Sequence, residues 1–186
     1  MGEGLEQAYI ERFGRRHWDE YLVLVEDYWE AVRAALEELR LDYHRVDLYQ
    51  DGLPVCGREL EIVKLAAAMG SENHQLLMDL AARGATLMGT EDPNLVMEEY
   101  QDVQTALAGR SPDRPSPQCD DREPRSRELL ARRDAYIGRR IGELLRFGRT
   151  AILFLGIAHN VEPHLPGDIV LTRLAPAARP RRDKPG

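Results

Sequence analysis

Late in the chain the apolar run AILFL gives way to Gly156 and, three residues on, to His159. An imidazole at a strand end can exchange protons near neutral pH or bind a divalent metal through a ring nitrogen. A glycine just ahead of it lets the backbone come close to a bound group. Two other polar clusters follow apolar segments in the same way: Gln50-Asp51-Gly52 and Gly89-Thr90-Glu91-Asp92. His159, Glu91 and Asp51 together form a mixed imidazole and carboxylate set. Such a set suits zinc, manganese or cobalt, or metal-free acid–base work. Gln50, Thr90 and Gly156 stand beside these residues as further site candidates.

Each candidate also has a plain structural explanation. Asp51 with Gly52 can build a turn, and Glu91-Asp92 ahead of Pro93 can cap a helix. His164 fits a loop histidine better than a ligand, and His74 fits a packed, hydrogen-bonded one. Cys56 and Cys119 are far apart and lack a C-x-x-C pairing, which predicts free thiols; Cys56 is expected to be a buried small residue.

Arg133 and Asp134 fall on or beside the apolar stripe Leu130, Ile137, Ile141 and Leu144. A charge facing a core is costly unless paired. Arg133 therefore either pairs with Asp134 or another acid, or reaches into the site to anchor an anionic group.

The elements that must position these residues can be read from periodicity. Tyr21, Val25, Tyr28, Val32, Leu36 and Leu39 predict one buried helical stripe, preceded by a shorter helix that breaks near Gly14. Alternation over 43–49 predicts a strand ended by the turn formers in QDGLP. Helices are expected over 59–69 and 71–83, the second with Ser71 as N-cap and Gly84 as terminator. A short apolar run at 85–88, a helix from Pro93 to about 107, a helix over about 126–147 and a strand at 151–155 follow. A last strand is expected at 168–174.

Strands separated by long helical stretches imply parallel pairing, so the expected fold is α/β: a layered, mostly parallel sheet with helices on both faces. Residues 1–174 are expected to form a single domain. It would carry an exposed loop at 109–124 (GRSPDRPSPQCDDREP), with a disordered tail at 175–186. In such sheets ligands sit beyond the carboxyl ends of the strands, which is where all three polar clusters fall.

The chain has 186 residues, 43% of them hydrophobic and 31% charged, with a net charge of -7. That balance describes a soluble globular protein and argues against a general nucleic-acid binder. No run approaches the length of a membrane helix. MGEGLEQAYI lacks the basic start and apolar core of a signal peptide, so a cytoplasmic protein is expected.

The strings YQDGLPVCG (49–57), GSENHQLL (70–77), RGATLMGTEDP (83–93) and LFLGIAHN (153–160) resemble those of an uncharacterised prokaryotic protein family, over most of the chain. More distantly, the chain resembles the TraB/TIKI/EreA/ChaN-like hydrolase superfamily. Its G-x-x-H after a late strand is matched by Gly156 and His159, and its Arg-Asp pair on the preceding helix by Arg133 and Asp134. Some members are metal-dependent peptidases, so the resemblance implies a divalent-metal hydrolase. The superfamily usually carries an earlier histidine motif after an N-terminal strand. This chain opens on a helix without one, where the resembled family carries an extra strand upstream of the position of Met1, so it either starts late or has lost half of a metal site.

Two functions follow as expectations. The first is a metal-dependent hydrolase with His159 as ligand or general base, Glu91 and Asp51 as ligands or bases, and Arg133 orienting an anionic group. Its substrate would be a small molecule or peptide. The second is a non-catalytic domain whose rim binds a small molecule or a protein partner. In either case apolar surface left by the missing strand could support a homodimer.

Overall fold

The computed structural model describes residues 3–108 and 119–174. Gly14 ends the first helix, α1 (Glu3–Phe13), by taking a positive φ of 85°, and the chain re-enters helix as α2 (Arg15–Glu38). After a short 3-10 turn at Tyr43–Arg45 comes β1 (Val46–Gln50). The expected strand thus begins three residues late. Then follow α3 (Glu59–Ala68), α4 (Glu72–Ala82), β2 (Thr86–Leu87), α5 (Pro93–Ala108), α6 (Cys119–Leu144) and β3 (Thr150–Phe154). The fold is mixed α/β with an open, all-parallel sheet in the order β2-β1-β3. Among the described residues no helix is long and apolar enough to cross a membrane.

Within the span expected as one domain, the chain gathers into two compact units. One holds residues up to His44, Glu61–Gly84 and those from Thr172; the other holds Arg45–Leu60 and Ala85–Leu171. In the first, α2 and α4 pack together, with Trp18, Val32, Leu36, Leu76, Leu77 and Leu80 buried. The stripe on α2 is rotated from the one expected, for Tyr21, Tyr28 and Leu39 are exposed and Trp18 and Ala31 take the buried places. Arg33 pairs with Asp79, and Arg83 pairs with Glu37 while lying over the Tyr43 ring.

The second unit contains the sheet. β1 lies between two neighbours, so all five of its residues are buried instead of alternating. Its register sets Asp47 and Leu48 beside Thr86 and Leu87, and Val46 through Gln50 beside Thr150 through Phe154. Tyr49 packs with Ile137 and Ile141 of α6 and with Val161, which follows β3. Its burial, with Asp47 nearby, pushes the phenol up to about 12. At the amino end of the sheet Arg149 donates to both Asp47 oxygens and to the Val46 carbonyl.

Two expectations need correction. The strand at 168–174 does not form. Of its apolar residues only Ile169 packs onto the Tyr49–Ile137 cluster, beside Leu165 just upstream, while Val170, Leu171 and Leu174 are exposed. Gly138 and Gly142 leave the room, since a Cβ on Gly138 would lie 2.5 Å from His164 Cβ, and one on Gly142 would lie 2.6 Å from Pro166 Cγ. Second, α6 begins at Cys119 and carries Pro124 inside it, so 119–124 is helix and not loop. The rest of the expected loop, 109–118, and the expected tail lie outside the described residues.

Candidate functional site

Parallel pairing sends the carboxyl ends of β1, β2 and β3 to one rim of the sheet. β2 is only two residues long, yet its ladder to β1 is continued by side chain and loop. Thr90, fully buried, accepts the Gln50 N–H at its hydroxyl (2.9 Å) and donates to the Met88 carbonyl (3.2 Å). The Thr90 and Glu91 amides both donate to the Leu53 carbonyl, and Val55 N–H donates to the Glu91 carbonyl at 2.9 Å. The loop after β1 and the loop after β2 are thereby zipped together.

Glu91 is fully buried and both of its carboxylate oxygens are engaged. Its Oε1 accepts from the Gly52 amide (2.5 Å) and from Arg133 Nη2 (2.8 Å), and its Oε2 accepts from Arg133 Nε (2.6 Å). Arg133 Nη1 donates to Glu99 of α5 at 2.5 Å. The hydrogen bond to Glu91, opposed by burial, holds the guanidinium above its ordinary range. Arg133 thus pairs with an acid other than Asp134. To bind a metal, Glu91 would have to break a two-pronged buried ion pair, which is strongly unfavourable.

Asp134, the next residue on α6, serves the other half of the rim. Its Oδ1 lies 2.6 Å from His159 Nδ1 and its Oδ2 accepts the Asn160 amide at 2.8 Å. An ionised carboxylate can only accept, so Nδ1 carries the proton and Nε2 becomes the variable nitrogen. Nε2 faces Asp51 Oδ2 at 3.6 Å. Asp51 is itself anchored, with Oδ2 accepting the Gly156 amide (2.6 Å) and Oδ1 accepting from Gln50 Nε2 (2.5 Å). A Cβ on Gly156 would lie 3.0 Å from Asp51 Oδ2, so a side chain there would push the carboxylate by a few tenths of an ångström. The glycine and histidine that end the apolar run are therefore both directed at Asp51.

Of the residues singled out in the sequence, Asp51, Gln50, Gly156, Asp134 and His159 form one connected group. Glu91 and Arg133 form a second, which sets the Asp51-Gly52 turn from behind, and Thr90 fixes the Gln50 backbone. Asp92 only caps α5, accepting the Asn94 amide at 2.8 Å. His74 sits 2.8 Å from the Ser71 hydroxyl, and His164 is exposed. Cys56 is exposed, contrary to expectation, in a bend whose Cys56 and Gly57 amides donate to Glu59 (2.8 and 3.0 Å). Burial works against charge on Glu59, but those amides and its own outweigh it and hold its carboxyl below the usual range. The side chain of Cys119 lies outside those described.

Sequence reasoning missed Glu99 as the second partner of Arg133, and Arg140, whose Nε donates to the Gly89 carbonyl at 2.5 Å. No local pattern marks either. Gly138 and Gly142 did carry a signal: two glycines four apart inside a helix imply a close crossing.

Among the described residues no group of three or more His, Cys, Asp or Glu side chains is disposed to hold a metal ion. Asp51 and His159 remain as a pair, fewer than the three protein ligands usual for a catalytic zinc. No family model matches the chain, and no curated protein or solved structure matches it.

Proposed function

We propose that the carboxyl rim is a hydrolase-like site in which His159 is the general base. The observation that carries this is the clamped imidazole: Nδ1 held at 2.6 Å by Asp134, Nε2 turned toward Asp51 at 3.6 Å. Nε2 takes a proton from a water molecule, and the water oxygen attacks the carbonyl of a small-molecule or peptide substrate. The imidazolium then lies between two carboxylates, Asp134 and Asp51, which stabilise its charge, and the proton passes to the leaving group. Glu91 and Arg133 act as positioning residues, through the Gly52 amide. A divalent metal, if bound here, would be held by His159 Nε2 and Asp51 Oδ2 and would supply a more acidic water.

A second, non-catalytic role as a small-molecule binding domain is favoured by one observation. Both Asp51 oxygens already receive donors from neighbouring chain, which ties β1 to the end of β3. The two are separated by assaying wild type and His159→Gln against ester, amide and phosphoester panels, with and without added zinc, manganese or cobalt. Turnover lost in a folded His159→Gln protein supports the hydrolase. A wild type inert on every panel, or activity that survives the substitution, would sink it. Elemental analysis beside His159→Ala decides the metal: occupancy that disappears in the folded variant assigns it to His159.

A further inference from the structure

Among the described residues β3 is an edge strand, paired to β1 on one side only. Phe154 C=O accepts from Asp51 N–H, so Phe154, Ile152 and Thr150 direct their backbone groups toward β1. The alternation of a strand then turns the N–H and C=O of Ala151 and Leu153 outward. Edge strands are normally protected by charge, proline or a bulge. From Thr150 to Ala158 the segment TAILFLGIA contains no charged residue and no proline, and β3 runs in unbroken register with β1.

Two large apolar side chains flank this edge, Phe147 in the turn before β3 and Ile157 in the turn after it, and both are fully exposed. They are placed symmetrically, five residues before and five after Ile152. We propose that β3 is the interface with a second copy of this chain, paired antiparallel about a two-fold axis at Ile152. In that register Ala151 of each copy faces Leu153 of the other, which is the hydrogen-bonded arrangement their outward groups require. Phe147 of each copy meets Ile157 of the other, so both exposed side chains are covered by one operation. The contact is self-complementary, as a two-fold interface must be. It joins two three-stranded sheets into one and lays the second copy's Phe147 on the turn two residues before His159. It does not depend on the hydrolase proposal.

The experiment is sedimentation velocity on the full chain across the micromolar range, with circular dichroism as a fold control. Wild type is expected to dimerise with rising concentration. Phe147→Glu and Ile157→Glu are each expected to weaken the dimer about tenfold or more, since each buries a charge against an apolar partner. The double variant Phe147→Lys with Ile157→Glu, whose unlike charges face each other across the axis, is expected to recover much of it. A wild type that stays monomeric overturns the proposal, as does a dimer indifferent to the single substitutions. Failure of the double variant to recover overturns the antiparallel register.

Discussion

The two halves of the rim use the same residue types to opposite ends. On the β2 side, Glu91 and Arg133 are dry, and both Glu91 oxygens and three Arg133 nitrogens are engaged. On the β3 side, His159 and Asp51 lie beside exposed turn residues, and one imidazole nitrogen faces a carboxylate beyond hydrogen-bond distance. Consecutive residues of α6, Arg133 and Asp134, govern the two halves. A closed ion pair specifies where a turn goes, whereas the imidazole, its side chain as buried as that of Arg133, keeps one ring nitrogen beyond hydrogen-bond distance of the Asp51 carboxylate.

Breaking the closed half should have the largest effect. Arg133→Met leaves Glu91 buried without its partner and is expected to cost about 3–5 kcal/mol in a denaturant titration. The same titration of His159→Gln should change little. Equal losses would erase the distinction between the halves.

A smaller effect is expected where α6 meets the segment that carries His159. Gly138→Ala drives a methyl into His164 and should cost about 1–3 kcal/mol. It should also loosen the Asp134–His159 bond, visible as a change in the His159 ring nitrogen shifts. Unaltered shifts would show that the crossing does not set the imidazole.

The smallest effect concerns Glu59, a carboxylate closed by backbone amides instead of arginine. Its native value is depressed, so the stability it adds is present above the unfolded carboxyl value and is lost as pH falls through the native one. Glu59→Gln should therefore be less stable than wild type at neutral pH, and the gap should narrow in acid. A gap independent of pH would remove the charge from the explanation.

Much of the fold was legible in the sequence because glycine punctuation and apolar periodicity are local. Gly14, Ser71, Gly84 and Pro93 each mark a boundary that the structure places within a few residues. The all-parallel sheet followed from strands spaced by helices. The fourth strand misled because 168–174 has a strand's composition, while the segment just before it, His164 and Pro166, is held against Gly138 and Gly142 of a helix earlier in the chain. Proximity of Asp51, Asp134 and His159 was foreseeable from strand ends and a charged pair on a buried stripe. The division of labour was not: that Glu91 closes on Arg133 while Asp134 takes His159 depends on which face each α6 residue presents, beyond what spacing alone resolves.

The most direct measurement is the ring-nitrogen NMR spectrum of His159, in wild type and in Asp134→Asn. The account predicts a proton fixed on Nδ1, shifted downfield by the Asp134 carboxylate, with Nε2 the nitrogen that gains or loses the second proton. That signature should weaken in the variant. A neutral imidazole with its proton on Nε2 and Nδ1 bare would contradict it, and His159 would then be a structural residue and not a base.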